Sequence, residues 1–462
     1  MAEIQIPIRS NKAQYSVSGE PKVINAYAEM GGSDQKSEYT LVPCAGLKSF
    51  GTDMGGKCRG MIYLVDQDVI YSVQDFGLFK IQEDGTNTKL ATIPGQAECF
   101  FARNDAENPQ ILLVVEGKTY LIENDTVTLQ VQYDFTPVGV TFVGGYFIFW
   151  TAQGRIYASD LRSVTVPPLR FVTAETDPDG LSFCVGVGQN LYAVGEKTTE
   201  VWSINGNTVG NFPLSLVKGA HLRKGSNSPH TAVLFNDVVA FVDNENDVQL
   251  LKGYTANSIS TPEVCRLIES EADKSEIIAF KHQRGDNRFY VLKGTNWCKE
   301  INLETGLWAD RESGIGEPWR ARYHVKAWNR DIFGDTHTGL LLEGDYKLFT
   351  DLNEPQLWGF DTSTIHAHPN GIQFDRISFD AQRGVGGEKK AEMMLSYSDD
   401  NGANHTGYRQ LSLGRKGERG VVVEARGLGV CRETGRRFRV RISDDVIRAI
   451  SLISVDAEPV EL

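Results

Sequence analysis

The sequence predicts an all-β protein: a β-propeller of about seven blades carrying a C-terminal β-sandwich-like domain. Three observations predict it. Gly supplies 46 of the 462 residues, above the usual ~7%, which favours many tight turns over long helices. Short β-branched and aromatic runs recur down the chain, separated by turn formers. Corresponding strands of the repeating pattern return at a mean spacing of about 44 residues, the length of a four-stranded propeller blade.

Taken in order, residues 1–57 form an N-terminal segment in which IQIPI (4–8) is expected to return to the last blade and close the ring. Residues 58–363 are assigned to the propeller. Within them MIYLV (61–65), ILLVVEG (111–117), TFVGGYFIFW (141–150), NLYAVG (190–195) and AVLFNDVVAFV (232–242) read as strands. GG at 144–145, NG at 205–206, DG at 84–85 and 179–180, and RGDN at 284–287 read as turns. The second strand of successive units is expected to start near Asp68, Lys118, Tyr146, Asn190, Asp237, Asn287 and Arg330. One such unit cannot bury both of its faces alone; neighbours in a ring cover them. Helical periodicity is confined to CRLIESEA (265–272) and ISDDVIRAISLI (442–453). Residues 364–462 change texture and read as antiparallel strands of a smaller sandwich, from RISFDAQ through RRFRVRISD.

Charge and cysteine usage narrow the function classes. The chain carries 47 Lys+Arg against 60 Asp+Glu, a net charge of -13. About 15 basic and 14 acidic residues fall after residue 363, so the negative charge lies in the propeller. That balance argues against a dedicated duplex-DNA binder, although a local patch could still serve. The seven Cys stand singly at 44, 58, 99, 184, 265, 298 and 431, with no C-x-x-C pair. A reducing compartment is therefore expected rather than a disulfide framework. MAEIQIPIRSNK has no basic stretch followed by an apolar core, so no secretory signal is expected. No run of ~18 apolar residues exists to make a membrane-spanning helix.

The search for chemistry returns mostly turns. GVGQNLYAVG (186–195) lacks the third glycine and the following helix that a dinucleotide loop needs, and no G-x-x-x-x-G-K-[ST] or G-x-S-x-G occurs. His366 and His368 form an H-x-H pair without the further ligands zinc would require. DNENDV (243–248) alternates carboxylates and amides, but Val248 stands where a calcium loop needs Gly, so a hairpin turn is expected. Ser398-Asp399-Asp400-Asn401-Gly402 resembles the S-x-D-x-G-x-x-W turn of sialidase-type propellers, with His405 in place of Trp. In those proteins the turn is structural and remote from catalysis. Four Trp fall between 308 and 358, suited to an interface or to packing between blades, with packing preferred. Arg437, Arg439 and Arg441 alternate with Phe438, Val440 and Ile442, which puts three guanidiniums on one face of a strand. They are the candidate interface residues, as a basic stripe for phosphate or an acidic partner; a solvated outer face is the other reading. No catalytic, cofactor or metal residue is assigned, and no enzyme is expected.

One stretch carries a resemblance. Pro178-Asp179-Gly180 through CVGVGQNLYAVGEKTTEVWSINGN (184–207) resembles a characteristic run of the tail hub proteins of short-tailed bacteriophages. These are also called packaged-DNA stabilisation proteins or tail accessory factors. In that family a PDG turn precedes a strand pair ending in an acidic-aromatic strand, here Thr199-Glu200-Val201-Trp202-Ser203. KGAHLRKGSNSPHTAVLFNDVVAFVD (218–243) and VCRLIES (264–270) continue in the same order. LVPCAGLKSFG (41–51) is similar to a proline-glycine segment near the family's N-terminus, departing from it at Cys44-Ala45.

The resemblance implies a structural virion protein of the phage tail, made in the host bacterial cytoplasm. It would assemble as a homo-hexameric ring below the portal and its adaptor. Its further partners would be the tail needle or plug, the tailspike or tail fibre, and packaged DNA held without sequence-specific binding. It implies no cofactor and no membrane insertion. A carbohydrate- or peptide-binding propeller is the alternative, with a glycoside-processing enzyme after it.

Overall fold

The structure is a computed structural model that describes residues 2–15, 21–31, 36–128, 131–174, 180–206 and 212–461. Residues 58–345 are built from seven antiparallel strand meanders, of which the first five are separate four-stranded sheets and the last two join larger sheets. Blade 1 begins at Cys58–Leu64, blade 2 at Phe100–Arg103, blade 3 at Gly139–Val143 and blade 4 at Leu181–Val187. Blades 5, 6 and 7 begin at Val233–Phe235, Ile278–Arg284 and Ala321–Ala327. These opening strands pack against one another around the ring, and the seventh returns to the first. A short 3-10 turn, Pro229–Thr231, carries the contact from blade 4 to blade 6 ahead of blade 5.

The apolar runs explain why blades stack. Ile111–Val115 is buried at every position. Ile111, Leu113 and Val115 pack with Leu64, Tyr71 and Leu78 of blade 1. Leu112 and Val114 meet Phe147, Phe149 and Tyr157 of blade 3. Alternate residues of one strand thus serve two neighbours, so a continuous apolar run replaces the usual in-out alternation. This strand, and not the one starting at Lys118, is second in blade 2; Lys118–Glu123 is third. The uneven spacing at that point of the repeat comes from this shift.

Blade 7 has only three strands of its own, and its fourth comes from the N-terminal segment. Gly46–Phe50 pairs antiparallel with Leu341–Asp345, from Leu341 opposite Phe50 to Asp345 opposite Gly46. The ring is therefore closed by residues 46–50 and not by residues 4–8. Ile4 instead pairs with Ile453, and Ile6 lies in the core of the sandwich. Gly46 is needed where it stands: a Cβ there would lie 2.5 Å from the carbonyl oxygens of Leu348 and Thr350.

The sandwich draws on both chain ends. One sheet runs Ala26–Met30, Tyr39–Pro43, Ile450–Val460, Gly371–Ala381 and Glu424–Cys431. The facing sheet runs Lys22–Ile24, Trp358–Asp361, Arg437–Ile442, Ala391–Ser398 and Arg409–Gly414. Between them Trp358, Phe360, Phe374, Phe438, Val440 and Ile453 form a shared core. This second sheet does not stop at the domain edge. Ile24 pairs in parallel with Asp310 of blade 6, so nine strands hydrogen-bond continuously from propeller to sandwich. Arg448, 1% exposed, adds a second tie by donating to the carbonyls of Gln356 at 2.7 Å and Phe349 at 3.0 Å.

The expected helix within 265–272 is present as Pro262–Ser270, capped by the Thr261 side chain. The one expected over 442–453 is not formed. Ile442 ends one strand and Ile450 begins another. In the turn between them the Asp444 carbonyl accepts from Arg448, and its carboxylate accepts from the Glu392 backbone. Tertiary partners for the charged residues here outweigh a short helical periodicity.

Candidate functional site

Three places in the fold gather chemistry: the propeller channel, its mouth, and the outer face of the sandwich sheet. In the channel, the Phe100 ring of blade 2 stacks on His230, which precedes blade 5, with centroids 4.6 Å apart. Those blades are not neighbours, so the contact crosses the axis. Glu98, 6% exposed, leads into blade 2. It receives the Arg322 guanidinium and, at 2.7 Å, the Tyr323 hydroxyl, both from blade 7. Burial pushes the Glu98 carboxyl up, but Arg322, Tyr323 and Lys57 outweigh it and hold the pKa below the ordinary glutamate value. Burial lowers His230 to about 4, so its ring is neutral at neutral pH. Tyr323 holds a left-handed φ of 54° at a bulge between Arg322 and His324. The bulge turns the consecutive residues Arg322 and Tyr323 onto the same carboxylate.

At the mouth, a hollow of about 590 Å³ opens between blades 1, 5, 6 and 7. His282 and His324 line it, and each is held by a carboxylate: His282 by Glu300 at 2.6 Å, His324 by Asp331 at 3.0 Å. These pairs belong to a buried polar layer that includes Arg311, stacked 3.9 Å over the Trp319 ring. Cys44 Sγ lies 3.7 Å from the Glu300 carboxylate in the same layer, but burial pushes its thiol up to about 12, so it stays protonated.

The arginine stripe is formed as a stripe but is not an open surface. Arg437, Arg439 and Arg441 all turn onto one carboxylate, Asp361, at 3.4, 3.0 and 2.7 Å. Arg437 and Arg441 are 4% and 6% exposed. Burial raises the Asp361 pKa, yet Arg441, Arg439 and Arg437 together hold it below the ordinary value. The strand lies mid-sheet, between Trp358–Asp361 and Ala391–Ser398. There the turn 398–402 covers its polar face: a Cβ on Gly402 would come within 3.0 Å of Arg437. The expected exposed basic stripe is thus an internal ion cluster, with Arg439 alone half-buried. Asp361 is the residue that sequence reasoning missed, because its partners lie about eighty positions away.

The other motifs are structural. Ser398 Oγ accepts from the Gly402 backbone at 2.8 Å, and Asp400 from Asn404 at 2.9 Å, which makes 398–404 a self-bonded turn. Asp399 then grips the buried Arg436 through two bonds of 2.6 and 2.7 Å. DNENDV is a hairpin turn in which Asp243 accepts from Glu245 and Asp247 backbones. Gly186–Asn190 joins two strands of blade 4. Trp308, Trp319 and Trp358 are each at most 1% exposed and serve packing. His366 and His368 are exposed. Among the described residues no three His, Cys, Asp or Glu side chains are grouped to hold a metal, and no cysteines are bonded to each other. Among the described residues no helix is long and apolar enough to cross a membrane.

The stretch 184–203 falls on the first three strands of blade 4, and Trp202 Nε1 donates to the buried Glu200 at 3.1 Å. Pro178 and Asp179 lie outside the described residues. A family model described as bacteriophage P22 Gp10, β-propeller, matches residues 5–344. A second, described as bacteriophage P22 Gp10, β-sandwich, matches residues 357–458. The chain belongs to the bacteriophage P22 Gp10 family. It is a phage structural protein with a β-propeller and a β-sandwich, as the sequence reading expected. No curated protein sequence matches it. Solved structures similar to it include the computationally designed Ika8 protein and the WD40 β-propeller domain of Doa1. The first is 10% identical over 70% of this chain and 99% of its own, with a TM-score of 0.40. The second is 14% identical over 65% and 97%, with a TM-score of 0.42. Within the Gp10 propeller match lie strands Lys22–Ile24 and Ala26–Met30, which here are built into the sandwich sheets.

Proposed function

We propose that this Gp10-family chain is the tail hub of a short-tailed phage, a ring of identical subunits seated below the portal and adaptor. In that place it helps retain packaged DNA and anchors the needle and the spikes or fibres. Its role is mechanical rather than catalytic. The observation that carries the reading is the pair of family matches covering 5–344 and 357–458. The geometry suits the task. A continuous nine-stranded sheet joins propeller to sandwich, so a load on one domain reaches the other through backbone hydrogen bonds rather than through a linker. Heterologous contacts between such rigid subunits close into a ring.

The test is the mass of the purified chain, alone and mixed with the virion's portal–adaptor complex. A ring of about six copies forming on that complex is expected. A chain that stays monomeric and ignores the complex would refute the hub.

A further inference from the structure

We propose that copies of this chain touch head to tail, with Ile315 of one copy seated in an apolar hollow beside the N-terminal arm of the next. The contact rests on the ring reading and names what its subunits share. Ile315 is the tip of the loop from blade 6 to blade 7 and is 85% exposed. Gly314 and Gly316 flank it with left-handed φ of 80° and 76°, which makes the turn tight. The base of the loop is fixed. Ser313 N–H donates to the Glu317 carbonyl, and Gly316 N–H to the buried Glu312 carboxylate, each at 3.1 Å. Lys22 holds that carboxylate at 2.7 Å, and Glu312 N–H donates to Asn25 at 3.0 Å. Ser313 Oγ donates to Asp351 at 2.6 Å. An apolar side chain on so rigid a stalk loses little freedom when it is covered, as an interface anchor requires.

The hollow, of about 380 Å³, is lined by Ile4, Pro7, Ile8, Leu307 and Ile365. Two observations make a second copy its occupant. The charges match: Arg9 stands at the hollow and Glu317 two residues from Ile315, both exposed. Neither is ion-paired among the described residues. The positions match as well. Ile24 pairs with Asp310, and Lys22 with Asp361, so Lys22–Ile24 lies between Leu307–Asp310 and Trp358–Asp361. Pro21, Leu307 and Ser363, which all line the hollow, sit at one end of these strands. The Ile315 loop leaves from the other end, roughly 16 Å away at strand rise. A knob and a socket at opposite ends of one set of strands do not meet within a copy. Between copies they make a heterologous contact, the kind that closes into a ring.

The experiment mixes two variants of the full chain, Ile315→Cys and Ile8→Cys, under mild oxidation, in concentrated solution and on the portal–adaptor complex. A disulfide-linked pair of chains, absent from either variant alone, is expected on a non-reducing gel. Ile315→Asp changes an exposed tip and is expected to keep the parent's melting temperature. It should need about 30-fold more chain to fill the ring, the loss of one buried isoleucine. Arg9→Glu should also weaken the ring, and adding Glu317→Arg to the same chain should restore it. A ring that forms without the mixed disulfide, or equally well with Ile315→Asp, would overturn this contact and leave the hub standing. A mixed disulfide in solution with no ring on the complex would refute the hub and uphold the contact. Absence of both would overturn both.

Discussion

Replacing Asp361 by Asn tests whether the arginine stripe is an internal cluster. The carboxylate is 2% exposed and meets Arg441, Arg439 and Arg437 at 2.7, 3.0 and 3.4 Å. Breaking a buried pair from one side costs about 3–5 kcal/mol, because the stranded charge stays out of water. Here Arg439 is 29% exposed along its side chain and can be hydrated. Arg441 retains bonds to the Phe360 and Val440 carbonyls at 2.9 and 2.8 Å. Those two outlets put the cost at the low end, about 3 kcal/mol. At roughly 2–4 °C per kcal/mol, the melting of the sandwich should fall by roughly 6 to 12 °C. Trp358 lies in the same strand and gives a fluorescence probe of that melting.

The pH dependence supplies a second sign. Because the folded Asp361 carboxyl is held below its ordinary value, its contribution is complete above about pH 4. It is lost as pH falls through the depressed value. The Asn variant should therefore have a shallower acid limb than the parent. A stability change within about 0.5 kcal/mol, the range of ordinary surface substitutions, with an unaltered acid limb, would refute the cluster and return the stripe to the surface.

Two further outcomes follow from buried groups elsewhere. His230 falls from 6.5 to about 4 through burial, so the native state resists a proton that the unfolded chain accepts. Stability should drop by up to about 3 kcal/mol as pH falls from 6.5 to 4. His230→Phe, which keeps the stack on Phe100, should flatten that window in denaturant titrations; an unchanged slope would deny the burial. Arg448→Met should strand the Gln356 carbonyl at about 1–3 kcal/mol, while the Phe349 carbonyl keeps the Gln356 N–H at 3.3 Å. The expected readout is a lower first transition in calorimetry, with propeller and sandwich no longer melting together; a single unshifted transition would show that the shared sheet alone couples them.

Periodicity made the propeller legible because blade strands are buried on both faces. Runs such as Ile111–Val115 and Tyr146–Trp150 are apolar throughout, and their recurrence carries the blade length. The closing strand was not legible from pattern. Gly46–Phe50 is half exposed, with Lys48 and Ser49 outward, and nothing in five such residues says which distant edge they complete. IQIPI is more apolar, and for that reason it went into the sandwich core. The arginine stripe shows the same limit from the other side. Alternation placed three guanidiniums on one face of a strand, but only the position of Asp361, brought in by an adjacent strand, decides whether that face meets water.

The channel bears on how a hub of this kind would hold DNA. The Phe100–His230 stack crosses the axis, and Glu98 ties blade 2 to blade 7 beside it. Both contacts stand in the way of a polymer passing along the axis of the propeller. In the proposed ring, DNA would run along the axis between subunits, and each propeller would be a solid element of the wall. The acidic balance of the first 363 residues suits such a wall, since it offers phosphate little to hold. Retention would then come from the plug the ring supports, and not from adhesion. A ring whose DNA hold weakened with salt along the steep slope of phosphate contacts would contradict that account. One whose hold changed only on removal of the plug would support it.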